Sequence, residues 1–121
     1  FQLYARTAHV LGESDRVYAF KEALERNDLP AAGLIANGSH QSCRDLYHIS
    51  TPTLERLRAF ALESGALGVR ITGAGFGGCL VAFVVADKAD NFEIKLEERG
   101  VAGMNIIRAN PGGRAHIQGL I

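Results

Sequence analysis

The chain has 121 residues, 47% of them apolar and 21% charged, and its thirteen basic side chains are matched by thirteen acidic ones. That length and balance fit one soluble domain with a buried core, spanning 1–121. Zero net charge argues against a nucleic acid or an anionic membrane held by bulk electrostatics, and no apolar run reaches the ~18 residues of a membrane span. Cys43 and Cys79 are far apart and form no C-x-x-C. They read as two buried, unpaired thiols in a reducing, cytoplasmic compartment. The sequence opens at Phe1, its only methionine is Met104, and its pattern is already running at the first residues, so we expect a piece of a longer protein.

In chain order, Leu3 to Asn27 reads as a helix with Val10, Glu13, Val17, Phe20 and Leu24 on its inner stripe. Gly12 weakens it by about 1 kcal/mol relative to Ala. His9 lies one residue off that stripe and reads as a half-exposed helix residue, with no second ligand at metal spacing. Asp28 caps a second helix with Pro30 in its first turn, ending near Leu46 to His48. Leu29, Gly33, Ala36, His40, Cys43 and Tyr47 share one face, and Gly33 and Gly38 inside it suggest close packing against a neighbour. Thr51 caps a third helix, with Pro52 first, Leu54, Leu57, Phe60 and Ala61 on one face, and Gly65 as its stop. Asp87 caps a fourth, Lys88 to Arg99, with Phe92 and Leu96 inward and Gly100 after it. Strands are expected near Met104 to Ala109 and Arg114 to Gln118, around an Asn110-Pro111-Gly112-Gly113 turn. The order, three helices, a hairpin, a helix and a second hairpin, is α+β: an antiparallel sheet with helices packed on one face.

One stretch stands out: Arg70-Ile71-Thr72-Gly73-Ala74-Gly75-Phe76-Gly77-Gly78-Cys79-Leu80-Val81-Ala82-Phe83-Val84. Gly73, Gly75 and Gly78 satisfy G-x-G-x-x-G, but a dinucleotide fingerprint needs a helix directly after the glycines. The β-branched run after Cys79 does not open one, so the stretch reads as strand, glycine loop, strand. Positive φ in a plain hairpin explains one or two glycines. Four around a Phe leave room for a phosphate or another backbone to approach. Elsewhere no catalytic kit is visible. Ser39 and His40 point about 100° apart on a helix and form no nucleophile–base pair. The four histidines share no metal spacing, and Glu55, Arg56, Arg58 and Glu63 read as a solvated face. Arg44-Asp45 reads as an ion pair or as the edge of a cleft.

The stretch Arg70 to Cys79 resembles the third motif of the GHMP small-molecule kinases, the family of galactokinase, homoserine kinase, mevalonate kinase and phosphomevalonate kinase. Ser39-His40-Gln41-Ser42-Cys43-Arg44-Asp45-Leu46-Tyr47-His48-Ile49-Ser50 resembles the segment before it in galactokinases, as do Ala8-His9-Val10, Glu13 and Arg16-Val17. Cys43 and Leu46 stand where galactokinases usually carry Leu and Asp. Ala74 replaces a Gly, and Thr51 replaces a Cys before Pro52. The resemblance implies the family's ferredoxin-like C-terminal domain, inactive by itself, with a sugar-binding N-terminal domain outside this chain. It implies an ATP-dependent, magnesium-assisted transfer of phosphate to the anomeric hydroxyl of galactose or a related sugar. It assigns Gly73, Gly75, Phe76, Gly77 and Gly78 to the nucleotide-phosphate side of the cleft, with Arg44 and Asp45 as possible cleft-edge residues and no catalytic or metal residue here. A non-catalytic, sugar-sensing relative and a kinase for another sugar such as arabinose share the same motifs. Partners would be ATP, the sugar and the chain's own N-terminal domain, with self-association of the isolated piece.

Overall fold

The computed structural model describes residues 2–100 and 103–110. Helix α1 covers Leu3–Glu25, α2 Leu29–Asp45 and α3 Pro52–Glu63, followed by strands β1 (Gly68–Thr72) and β2 (Cys79–Phe83) and helix α4 (Ala89–Glu98). The local signals act as expected at two helix starts: Asp28 accepts from the Ala31 N–H at 3.1 Å, and Thr51 Oγ1 from the Leu54 N–H at 3.2 Å. At α4 they do not. Asp87 falls inside a 3-10 turn, Ala86–Lys88, and the helix starts at Ala89 without a side-chain cap.

β1 and β2 pair antiparallel, with Gly68 opposite Phe83 and Thr72 opposite Cys79. Alternation in β1 buries Val69 and Ile71 on one face. Ile71 joins Cys43, Ile49 and Leu54, and Val69 joins Ala61, Phe92 and Leu96. Leu80 packs against both groups, so the core is continuous under the hairpin. The other edge of β1 is closed by side chains. Asn37 Oδ1 accepts from the Val69 N–H at 3.0 Å, and Arg58 Nε donates to the Val69 carbonyl at 3.1 Å. The two backbone groups that Val69 turns to this edge are thereby satisfied by side chains. Arg58 and Glu55 are therefore partly buried working residues, not members of a solvated face.

Four further expectations change. The α1 stripe is split: Val10, Val17 and Leu24 are 60%, 65% and 48% exposed, whereas Glu13 and Phe20 are half-buried and His9 and Ala23 are buried. Small and polar residues let α1 lie close on α2, and that contact outweighs the apolar periodicity. Gly33 does meet a neighbour, since a Cβ there would strike the Leu67 carbonyl, and one on Gly68 the Gly33 carbonyl. Gly38 meets only an ordinary contact with Arg16. Residues 104–110 form no strand, although Met104 and Ile106 pack against the Val69–Phe92 group. Cys43 is buried as expected, but Cys79 is exposed at the start of β2. The strand expected over 114–118 lies outside the described residues, as does most of the Asn110-Pro111-Gly112-Gly113 turn.

Candidate functional site

The glycine loop leaves β1 at Gly73 and re-enters β2 after Gly78. Gly73, Gly75, Phe76, Gly77 and Gly78 all have positive φ, including 59° at the non-glycine Phe76. Gly75 serves a second purpose, because a Cβ there would lie 2.6 Å from both the Cβ and the carbonyl oxygen of Ile49. The Phe76 N–H donates to that carbonyl at 2.7 Å. The close approach foreseen for the loop is thus partly made by the chain itself, with the segment after α2 as the neighbouring backbone. Positions 73, 77 and 78 remain open, with nothing within 4 Å of a Cβ built there. The Phe76 ring is 70% exposed.

Beside the loop lies an open depression of about 620 Å³ lined by Arg6, Thr7, Val10, Tyr47, Ile49 and Phe76. Arg6 braces it, donating to the Leu46 carbonyl at 2.8 Å with its guanidinium 5.1 Å from the Tyr47 ring centre. Tyr47 also stacks on His9 at 4.8 Å. Residues some forty positions apart converge here, and no local pattern in the sequence announces the pairing. Of the residues singled out from sequence, Phe76 lines the depression and the glycines flank it. Arg44 and Asp45 pair at 2.7 Å at the end of α2 and are not among its lining residues.

Beneath it is a polar cluster that the sequence reading missed. His9 is buried, with Nδ1 2.7 Å from Ser42 Oγ. Among the described residues, His9, Glu13 and Cys43 bring ligand atoms within 4.8 Å of one another. Yet Glu13 receives Arg16 at 2.6 Å and the Ser39 hydroxyl at 2.8 Å, with Arg70 at 4.0 Å. Burial pushes the Glu13 carboxyl up, but these donors and charges outweigh it and hold it below the usual range. Burial, with the Glu13 charge, raises the Cys43 thiol, and burial lowers His9. A protonated thiol, an engaged carboxylate and two guanidinium groups do not fit magnesium, which takes oxygen ligands. The cluster is an internal ion-pair network that packs α1 on α2.

Ser39 and His40 diverge as helix geometry requires. Ser39 turns to Glu13 on α1, and His40 to Glu55 on α3, with Nε2 2.6 Å from Oε1.

Residues 20–102 match the family described as GHMP kinases C terminal, and the chain belongs to it. Within that family it is galactokinase-like. It is 44% identical over 84 residues to a galactokinase of Mycobacterium tuberculosis (strain ATCC 25618 / H37Rv), covering 69% of this chain and 23% of that protein. It is 36% identical over 111 residues to one of Dictyostelium discoideum, covering 76% and 22%. The crystal structure of Lactococcus lactis galactokinase complexed with galactose superposes with a TM-score of 0.72 at 34% identity, over 80% of this chain and 25% of that one. An L. major mevalonate kinase in complex with R-mevalonate gives 0.70 at 29% identity, over 77% and 28%. The chain therefore spans about a quarter of the length of the relatives it matches.

Proposed function

We propose that this chain is the C-terminal domain of a cytoplasmic, ATP-dependent sugar 1-kinase that transfers the γ-phosphoryl group of ATP to the anomeric hydroxyl of galactose. The observation that carries the reading is the glycine loop, three of whose positions stay open to an approaching group beside an exposed depression. Phosphoryl transfer is chiefly positioning and charge stabilisation, so a loop that shapes the cleft contributes without moving a proton. In this reading Gly73, Gly75, Phe76, Gly77 and Gly78 line the phosphate side, and Arg44 with Asp45 stands at the cleft edge. Magnesium accompanies ATP and is held mainly by the N-terminal domain, and the His9–Glu13–Cys43 group does not suit it. The exposed apolar stripe of α1 supports docking on an N-terminal domain, and self-association when that domain is missing.

The test is ADP release by the complete protein with ATP, magnesium and a panel of galactose, arabinose and other hexoses and pentoses. Turnover greatest with galactose is expected. Preference for arabinose reassigns the substrate, and sugar binding without turnover makes the protein a sensor instead of an enzyme.

A further inference from the structure

The glycine loop rests on one residue, Ile49, so whatever fixes Ile49 fixes the loop. Phe76 donates to its carbonyl, and Gly75 lies against its side chain and carbonyl. The Ile49 N–H is tied at 3.1 Å to the Cys43 carbonyl near the end of α2, and its side chain is buried with Cys43, Leu54 and Ile71. On the N-terminal side stands His48, exposed and with φ of 59°.

The C-terminal side is anchored differently. The Ser50 hydroxyl donates to Glu55 Oε1 at 2.6 Å, and His40 Nε2 approaches the same oxygen at 2.6 Å. The other carboxylate oxygen faces Arg44 Nη1 at 3.5 Å. One α3 carboxylate therefore joins the segment carrying Ile49 to α2. His40 is fully buried and its Nδ1 has no hydrogen-bond partner. That leaves the proton on Nε2, facing the carboxylate. Burial drives the His40 pKa down, an effect only partly offset by Glu55. Burial pushes Glu55 up, but the Ser50 and His40 bonds outweigh it and keep the carboxyl low. A neutral donor under an ionised acceptor is a stable arrangement through neutral pH. Such charge-assisted bonds are shorter and stronger than neutral ones.

We propose that His40, Glu55 and Ser50 form a positioning relay that holds the Ile49 carbonyl, and through it the glycine loop, in the register that phosphoryl transfer requires. This rests on the kinase reading above. None of the three lines the depression, so they act through Ile49 and not on substrate. A misplacement of about 1 Å at a reacting centre can cost on the order of 10²-fold in rate. A loop seated on a single carbonyl is sensitive to a shift of that size.

The test uses the complete protein with Ser50→Ala, which removes one link and leaves the buried His40–Glu55 bond intact, and Ser50→Thr, which keeps the hydroxyl. Two readouts are taken: hydrogen–deuterium exchange resolved at the Phe76 amide, and steady-state kinetics. In Ser50→Ala, exchange at Phe76 should quicken about tenfold, and kcat should fall by a similar factor with the sugar KM unchanged and the protein still folded at the assay temperature. Ser50→Thr should restore both. A folded Ser50→Ala protein with native protection at Phe76 overturns the relay, whatever its activity. Quickened exchange with native kcat also overturns it. A wild-type protein with no turnover on any sugar sinks the kinase reading, and the exchange measurement still decides whether Ser50 holds the loop.

Discussion

Gly75 meets two demands at once, a left-handed φ of 80° and a backbone approach that leaves no room for a Cβ beside Ile49. Left-handed backbone costs a non-glycine residue about 1–2 kcal/mol and overpacking about 1–3. Gly75→Val should therefore destabilise the domain by about 2–5 kcal/mol, read from urea unfolding. A loss below about 0.5 kcal/mol would mean that the loop lifts freely off Ile49. The histidines give the fold a pH signature. His9 and His40 are both lowered from 6.5 by burial, so the unfolded chain takes up protons that the folded chain refuses. Stability should then fall as pH drops through about 6.5, and Glu13 and Glu55, held below their ordinary 4.5, should extend the loss at lower pH. The urea midpoint should decline from about pH 7 to about pH 5, and His40→Gln should flatten that decline. A midpoint that does not move over this range contradicts the assignment. The thiols should also separate. Exposed Cys79 should react with a bulky disulfide reagent in the native protein, and buried Cys43 only after unfolding. Two fast equivalents would show that Cys43 is accessible.

The elements most legible in the sequence were those with chemistry at their ends. Asp28, Thr51 and Pro52 set helix starts, Gly65 and Gly100 mark helix ends, and the apolar runs around the glycines give the hairpin. Element faces were harder to read where packing used small or polar groups. In α1 the stripe residues Val10, Val17 and Leu24 are exposed and Phe20 is half-buried against Phe83, while Glu13 on the stripe and His9 beside it turn to Ser39 and Ser42 of α2, so periodicity places only part of that face. The candidate site was half legible for the same reason. A glycine loop shows in sequence, whereas its seat on Ile49 and the convergence of Arg6, Tyr47 and Phe76 are tertiary facts. The exposed α1 stripe has a consequence of its own. Val17→Lys should leave the stability of residues 1–121 within about 0.5 kcal/mol while reducing their self-association in sedimentation. Equal association of the variant and wild type would mean that this face does not mediate contact.

At the scale of the whole molecule, the chain carries a loop, a depression and an apolar face. Among the described residues no carboxylate lines the depression and no group suits magnesium. The chain spans about a quarter of its galactokinase relatives. Residues 1–121 alone should make no sugar phosphate, whereas the complete protein should. The most direct measurement is 31P NMR of galactose, ATP and magnesium incubated with each. The kinase reading predicts a resonance of a sugar phosphate coupled to the anomeric proton with the complete protein and none with residues 1–121; a complete protein that binds galactose yet yields no such resonance, or phosphorylates a different hydroxyl, contradicts it.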